Sequence, residues 1–150
     1  NFEPRTRLDA GTYGTMGIGL GFAIAAAAVH PDRPIISVQG DSAFGFSGME
    51  LETAARLGMN IKVVIINNGG IGGGVNERTP GKPLPPHALS YDTHYEKIAE
   101  AFGGRGYFVT DPGELGAAMD AAMAYKGIAI VHVMIAPTAD RKPQQFNWHG

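Results

Sequence analysis

Two short polar clusters carry the residue types that hold a hard cation: Gly40-Asp41-Ser42 and, after 24 intervening residues, Asn67-Asn68, followed by Gly69-Gly70. The first closes an apolar run at 34–38 and the second closes another at 61–66, with a helical pattern near 47–57 between them. A strand–helix–strand crossover delivers both carboxyl ends to one edge of a sheet, so the spacing predicts Asp41 and Asn68 side by side. A carboxylate, an amide oxygen and backbone carbonyls are hard oxygen ligands. Magnesium takes such ligands at about 2.0–2.1 Å and completes its octahedron with water or phosphate oxygens. The amino end of the 47–57 helix is expected at the same edge, where free amides and the helix dipole favour a phosphate. A magnesium-bridged diphosphate suits both features. Each cluster alone has a plainer reading, since Asn-Asn-Gly-Gly makes turns and Gly-Asp-Ser caps helices.

The elements that must position these clusters follow from apolar periodicity. Helices are expected near 17–30, 47–57, 95–102 and 112–125, and strands at 34–38, 61–66, 107–109 and 129–135. Val63-Val64-Ile65-Ile66 and Ile128-Ala129-Ile130-Val131 are continuous apolar runs without alternation, as expected of strands covered on both faces. The fold class is therefore α/β, a doubly wound, mainly parallel sheet with helices on both faces. The irregular segment 69–93 holds two glycine clusters and four prolines, and loops of this length are usually functional or disordered. The expected organisation is one domain over 1–136 and a tail over 137–150 that leaves the fold.

The joint spacing resembles the fingerprint of thiamine-diphosphate enzymes, Gly-Asp-Gly, some two dozen residues, then Asn-Asn, with Ser42 here in place of the last glycine. The resemblance extends through Leu8-Asp9-Ala10-Gly11-Thr12-Tyr13-Gly14-Thr15-Met16-Gly17-Ile18-Gly19 and Gly40-Asp41-Ser42-Ala43-Phe44-Gly45-Phe46-Ser47-Gly48-Met49-Glu50-Leu51-Glu52-Thr53 to the diphosphate-binding domain of 2-hydroxyacyl-CoA lyases and oxalyl-CoA decarboxylases. It covers nearly the whole chain. The resemblance implies thiamine diphosphate and Mg²⁺ as cofactors, with Asp41, Asn68 and the Gly70 carbonyl as metal ligands. Gly14, Thr15, Met16, Gly40, Ser42, Ala43 and Ile71 would join them in holding the cofactor. Met16 would sit under it and enforce a V shape that sets the pyrimidine amino group, held by the Gly14 carbonyl, against the thiazolium carbon. Core packing is the plainer fate of a methionine, but the flanking glycines let a backbone approach a ring.

Further expectations rest on the same resemblance. The comparison family has a tyrosine after Ile71 where this chain has Gly72, which would enlarge the acyl pocket and favour a branched 2-hydroxyacyl-CoA over oxalyl-CoA. Glu77, just past the metal loop, is a candidate acid or base, against the plainer reading of a surface carboxylate. Arg141 and Lys142, with Phe146 and Trp148, would cover a CoA thioester as a lid; the plainer reading is a frayed terminus. The implied reaction is C1–C2 cleavage to formyl-CoA and an aldehyde or ketone. The implied partners are an acyl-CoA substrate, a pyrimidine-binding domain supplying the activating glutamate, and further copies in a homodimer or homotetramer. A 2-oxoacid decarboxylase, an acetolactate-synthase-like enzyme and a non-catalytic cofactor-holding subunit are the rival readings. On this view the chain is a fragment or one subunit of a split enzyme.

Composition narrows the classes. Twelve Lys and Arg against fourteen Asp and Glu give a net charge of -2, which offers no basic field for nucleic acid. There is no Cys, which excludes disulfides, thiolate metal sites and a thiol nucleophile. The apolar stretch at 22–29 is far short of the roughly 20 residues of a membrane span. Asn1-Phe2-Glu3-Pro4 has neither the charged start nor the apolar core of a signal peptide, so a cytoplasmic location is expected. Phe22 and Ile24 break any G-x-G-x-x-G pattern, and Gly81-Lys82 is followed by Pro83, so dinucleotide and P-loop readings fail. His30, His87, His94, His132 and His149 show no zinc spacing. His132, inside an apolar strand, is expected to be a hydrogen-bonded core residue, and Glu50 and Glu52 are expected to be structural.

Overall fold

Four strands, β1 (Ile35–Gly40), β2 (Ile61–Asn67), β3 (Arg105–Val109) and β4 (Ala129–Met134), pair in the order β1-β2-β4-β3 in the computed structural model. All three pairings are parallel. Residues 3–73, 75, 81–137 and 139 are described. The helices are α1 (Gly19–Val29), α2 (Asp41–Gly45), α3 (Glu50–Arg56), α4 (Glu96–Ala101) and α5 (Leu115–Ala124), with 3-10 turns at Gly11–Tyr13 and Pro112–Glu114.

The chain steps from β1 to β2, passes over to β3 at the far edge, then returns to β4. Right-handed crossovers place helices on one face while the steps run one way and on the other when they reverse. That rule accounts for the two cores. Leu20, Ala23 and Ala27 of α1, Phe44 of α2, Leu51 and Ala54 of α3 and Ala99 of α4 pack on Ile61, Val63, Ile65 and Ile130. On the other face, Ala122, with Leu115, Ala118 and Met119 of α5, covers Val64, Val109, Val131 and Val133. Each fully buried Leu, Ile or Val contributes about 1.5–3 kcal/mol relative to exposure. β1 extends past the reach of α5, and its Ile36 and Val38 stay exposed on that face.

The expected α/β class, parallel sheet and alternation are all present, and most boundaries agree within two residues, the ordinary uncertainty of element ends. Three differences matter. The helix expected at 47–57 is α3, which starts at Glu50, and a separate helix, α2, begins at Asp41 directly after β1. The cause is local: the turn at 46–49 folds back over Phe44, and a Cβ on Gly48 would lie 2.9 Å from the Phe44 ring. The helix start adjoining the strand edge is therefore that of α2, not that of the 47–57 pattern. The 3-10 turn Gly11–Tyr13 is also an addition, closed by Gly14 in the left-handed region at φ 58°, where only glycine is at ease. Finally, the helix at 112–125 opens with a 3-10 turn, in which the Asp111 side chain accepts from the Gly113 amide.

Lys62 on β2 has no exposed surface, and its Nζ donates to the carbonyls of Tyr125 (2.7 Å) and Gly127 (2.6 Å), fixing the end of α5. Burial pushes its pKa down to about 8. No helix among the described residues is long and apolar enough to cross a membrane.

Candidate cofactor site

The register that pairs Gly40 with Ile66 leaves Asp41 level with Asn67, so β1 and β2 release their next residues at one edge. Asp41 is 2% exposed. Its Oδ1 accepts from the Ser42 amide at 2.8 Å, and its Oδ2 accepts from the amides of Gly69 at 2.9 Å and Gly70 at 3.1 Å. Three backbone donors thus hold one carboxylate across the two strand ends. Hydrogen bonds to a carboxylate are the strong kind. Oδ1 accepts one bond here and keeps a lone pair for a cation.

The loop after β2 is braced on both sides. Asn68 Oδ1 accepts from the Gly70 amide at 3.3 Å while its Nδ2 donates to the Gly72 carbonyl at 2.8 Å. The Ile71 amide donates to the His87 carbonyl and the Leu89 amide to the Gly69 carbonyl, both at 2.9 Å. Gly70 is bridged antiparallel to Ala88. Gly72 has φ +77° and is exposed.

A third segment reaches this edge. The Ser42 hydroxyl lies 3.8 Å from Met16 Sδ, and a Cβ on Gly17 would lie 2.7 Å from Phe46 Cβ. Gly14, Thr15 and Met16 are exposed beside the start of α2, and Met16 keeps 41% of its surface free. A methionine placed for core packing alone would be covered. Gly40, Asp41, Ser42, Ala43, Asn68, Gly70 and Ile71 line the strand-end side of the same edge, with Ile71 43% exposed. Glu77, Arg141 and Lys142 lie outside the described residues.

The donor set fits a magnesium diphosphate. It offers one carboxylate together with amide and carbonyl oxygens, and a Cβ on Gly40 would meet only the Ile66 carbonyl, at 4.0 Å. Among the described residues no group of three or more His, Cys, Asp or Glu is arranged to hold a metal. A site built from a single carboxylate and neutral oxygens suits magnesium, which leaves the remaining positions to phosphate and water. Glu52 pairs with Arg56 at 3.1 Å on α3, in keeping with a structural role.

Sequence reasoning missed what stands behind the loop. Asn67, the first of the Asn pair, is fully buried and reaches His132, which reaches Glu96. His132 is the hydrogen-bonded core histidine expected from its strand. Burial would raise the Glu96 carboxyl, but hydrogen bonds from His132, its own backbone amide and His94, with the charge of His94, hold it below the usual carboxylate range. Tyr95 packs edge-on to Phe44 and His132. Its pKa is raised by burial and by the Asp41 charge, against a lowering hydrogen bond with Thr93. A separate cavity of about 420 Å³ lies between Tyr91, Asp92, His94, Phe108 and Met134 and contains none of the Asp41 edge residues.

Residues 1–133 match the family described as "Thiamine pyrophosphate enzyme, C-terminal TPP binding domain". The chain is 48% identical to human 2-hydroxyacyl-CoA lyase 1 over 99% of its own length and 28% of that protein's. It is 47% identical to 2-hydroxyacyl-CoA lyase of Arabidopsis thaliana over 91% of the chain and 25% of the relative. With oxalyl-CoA decarboxylase of Escherichia coli K12 the identity is 45%, over 92% and 24%. The chain thus spans about a quarter of the length of these relatives. The strand-end carboxylate, its amide cradle and the family match converge: this chain belongs to the C-terminal thiamine-pyrophosphate-binding domain family of thiamine pyrophosphate enzymes.

Proposed function

We propose that this chain is the diphosphate- and Mg²⁺-binding part of a thiamine-diphosphate-dependent lyase that splits the C1–C2 bond of a 2-hydroxyacyl-CoA. The products are formyl-CoA and an aldehyde or ketone, the hydroxyl proton being released and a proton added at the formyl carbon. The observation that carries the reading is the Asp41 carboxylate held by the Ser42, Gly69 and Gly70 amides beside the exposed Met16. The names of the relatives support the substrate class.

Asp41, Asn68 and the Gly70 carbonyl would hold Mg²⁺, and Ser42 and Ala43 would lie on the diphosphate. Gly14, Thr15 and Met16 would set the conformation of the bound cofactor. When bound, thiamine diphosphate supplies a nucleophilic carbon that adds to the thioester carbonyl and an electron sink for the bond that breaks. The pyrimidine-binding domain with its activating glutamate would come from outside this chain, in a homodimer or homotetramer. Arg141 and Lys142 would pair with CoA phosphates, and Glu77 would serve as acid or base.

Oxalyl-CoA decarboxylation is the second reading, favoured by the relatives named oxalyl-CoA decarboxylase. Gly72, with open space where a Cβ would stand, would leave more room for the acyl group and so favour a branched 2-hydroxyacyl-CoA. The test is a substrate screen of the assembled enzyme. Formyl-CoA from 2-hydroxyacyl-CoA thioesters supports the lyase; carbon dioxide from oxalyl-CoA or from free 2-oxoacids alone overturns it.

A further inference from the structure

Four side chains run in file from the cofactor loop to the surface. Asn67 Nδ2 lies 2.9 Å from His132 Nε2, His132 Nδ1 lies 2.8 Å from Glu96 Oε2, and Glu96 Oε1 lies 2.7 Å from His94 Nδ1. Asn67 and His132 are fully buried and Glu96 is 3% exposed. The residues come from β2, β4, α4 and the turn before α4, so only the tertiary fold assembles them.

The direction of every bond is set from the loop end. The Gly69 amide can only donate, and it lies 2.8 Å from Asn67 Oδ1; the nitrogen of the Asn67 side chain must therefore face His132. That nitrogen is a donor only, so His132 Nε2 must accept, and the ring proton sits on Nδ1. There it donates to Glu96, which as a carboxylate only accepts. An imidazolium would set an N–H against the Asn67 NH₂. One proton arrangement satisfies all members.

This arrangement reaches the metal carboxylate, because the Gly69 amide is shared between Asn67 Oδ1 and Asp41 Oδ2. We propose that Glu96 and His132 are positioning residues for the cofactor loop: Glu96 fixes the Nδ1–H tautomer of His132, which holds the Asn67 oxygen on the Gly69 amide and so keeps the loop in register with Asp41. The proposal rests on the reading of this edge as the diphosphate–magnesium site. Without an acceptor at position 96, a buried Nδ1–H is left unpaired. The other tautomer pairs Nε2–H with Asn67 only if that amide turns over, which places its NH₂ against the Gly69 N–H. Either state strains or loosens the loop.

The test uses the full-length enzyme that contains this domain, with Glu96→Leu and Glu96→Gln, which keep the side chain close to its original size. Hydrogen exchange over residues 69 and 70 is followed in cofactor-free protein, and the dissociation constant for thiamine diphosphate is measured at saturating Mg²⁺. Glu96→Leu should exchange about tenfold faster over the loop and bind the cofactor about tenfold more weakly, as loss of a buried partner predicts. Glu96→Gln can still accept from His132 while its NH₂ turns to His94, and should restore both values to near wild type. Equal behaviour of the two variants, or loop exchange in Glu96→Leu at the wild-type rate, would overturn the proposal. Should Glu96→Leu not fold, ¹⁵N-histidine spectra of the cofactor-free wild type decide: a proton on His132 Nδ1 supports the assignment and one on Nε2 refutes it. A wild type that binds no thiamine diphosphate with Mg²⁺ counts against the functional reading, whereas exchange and tautomer judge the positioning role separately.

Discussion

Replacing Asp41 with Asn changes no heavy-atom count, yet the structure gives it no harmless orientation. With its NH₂ toward the loop, Asn would face the Gly69 and Gly70 amides, two donors against a donor; turned over, it would face the Ser42 amide alone. The second orientation costs less. It leaves one N–H without its carboxylate, about 1–3 kcal/mol, and weakens two bonds that lose their charge, for a total of about 3 kcal/mol. Gly69 and Gly70 retain Asn67 Oδ1 and Asn68 Oδ1 as second acceptors, which keeps the figure from rising further. At roughly 2–4 °C per kcal/mol for a unit of this size, the midpoint of the cofactor-free enzyme should fall by about 6–12 °C. If Asp41 holds the metal, as proposed, calorimetric titration of the variant with thiamine diphosphate and Mg²⁺ should show no binding where wild type saturates. A midpoint within a degree of wild type would show that the amide cradle does not hold the carboxylate. Unchanged cofactor affinity would show that Asp41 is not the ligand.

Other expected outcomes follow from the same geometry. The folded state holds Lys62 at a pKa of about 8, below its ordinary 10.5, so between these values the unfolded chain binds more protons and stability rises with pH; thermal melts across pH 8–10.5 should show this rise in wild type and lose it in Lys62→Met. Glu96 is held below its ordinary 4.5, so its contribution is present above that value and lost as the pH falls through the folded value; acid melts of wild type should fall more steeply than those of Glu96→Gln, and parallel curves would refute the linkage. In Gly72→Tyr the added Cβ would meet nothing within 4 Å, but the residue must adopt φ +77°, a strain of roughly 1–2 kcal/mol. It should also shift the ratio of kcat/KM for a 2-hydroxyisobutyryl thioester over an unbranched one downward, and an unchanged ratio would remove Gly72 from the pocket. Deleting 137–150 should raise KM for the acyl-CoA while cofactor affinity, measured by titration, stays unchanged; equal KM values would deny the tail a substrate role.

The α/β class and the meeting of Asp41 with the Asn67–Gly70 loop were legible in the residues because both depend on short-range pattern. Apolar runs of strand length with a helix between them force a parallel pair, and a parallel pair has its carboxyl ends on one side. The division into α2 and α3 was not legible: Gly-Asp-Ser could be read as a helix cap, but the break between Gly45 and Glu50, where Gly48 fits against the Phe44 ring, shows only in the packing. The placing of Met16 against Ser42, 26 residues apart, depends on how the 3-10 turn and Gly14 aim the segment before α1. The file from Asn67 to His94 was hidden for a stronger reason. His132 sits alone in an apolar strand, its partners Asn67 and Glu96 lie on other elements, and His132 and Glu96 are 36 residues apart. Periodicity shows which face of a strand is buried; which polar group another element brings to that face is decided by the order in which the strands are laid, β4 between β2 and β3. Buried polar groups must find partners, and that demand is met only when the sheet is complete.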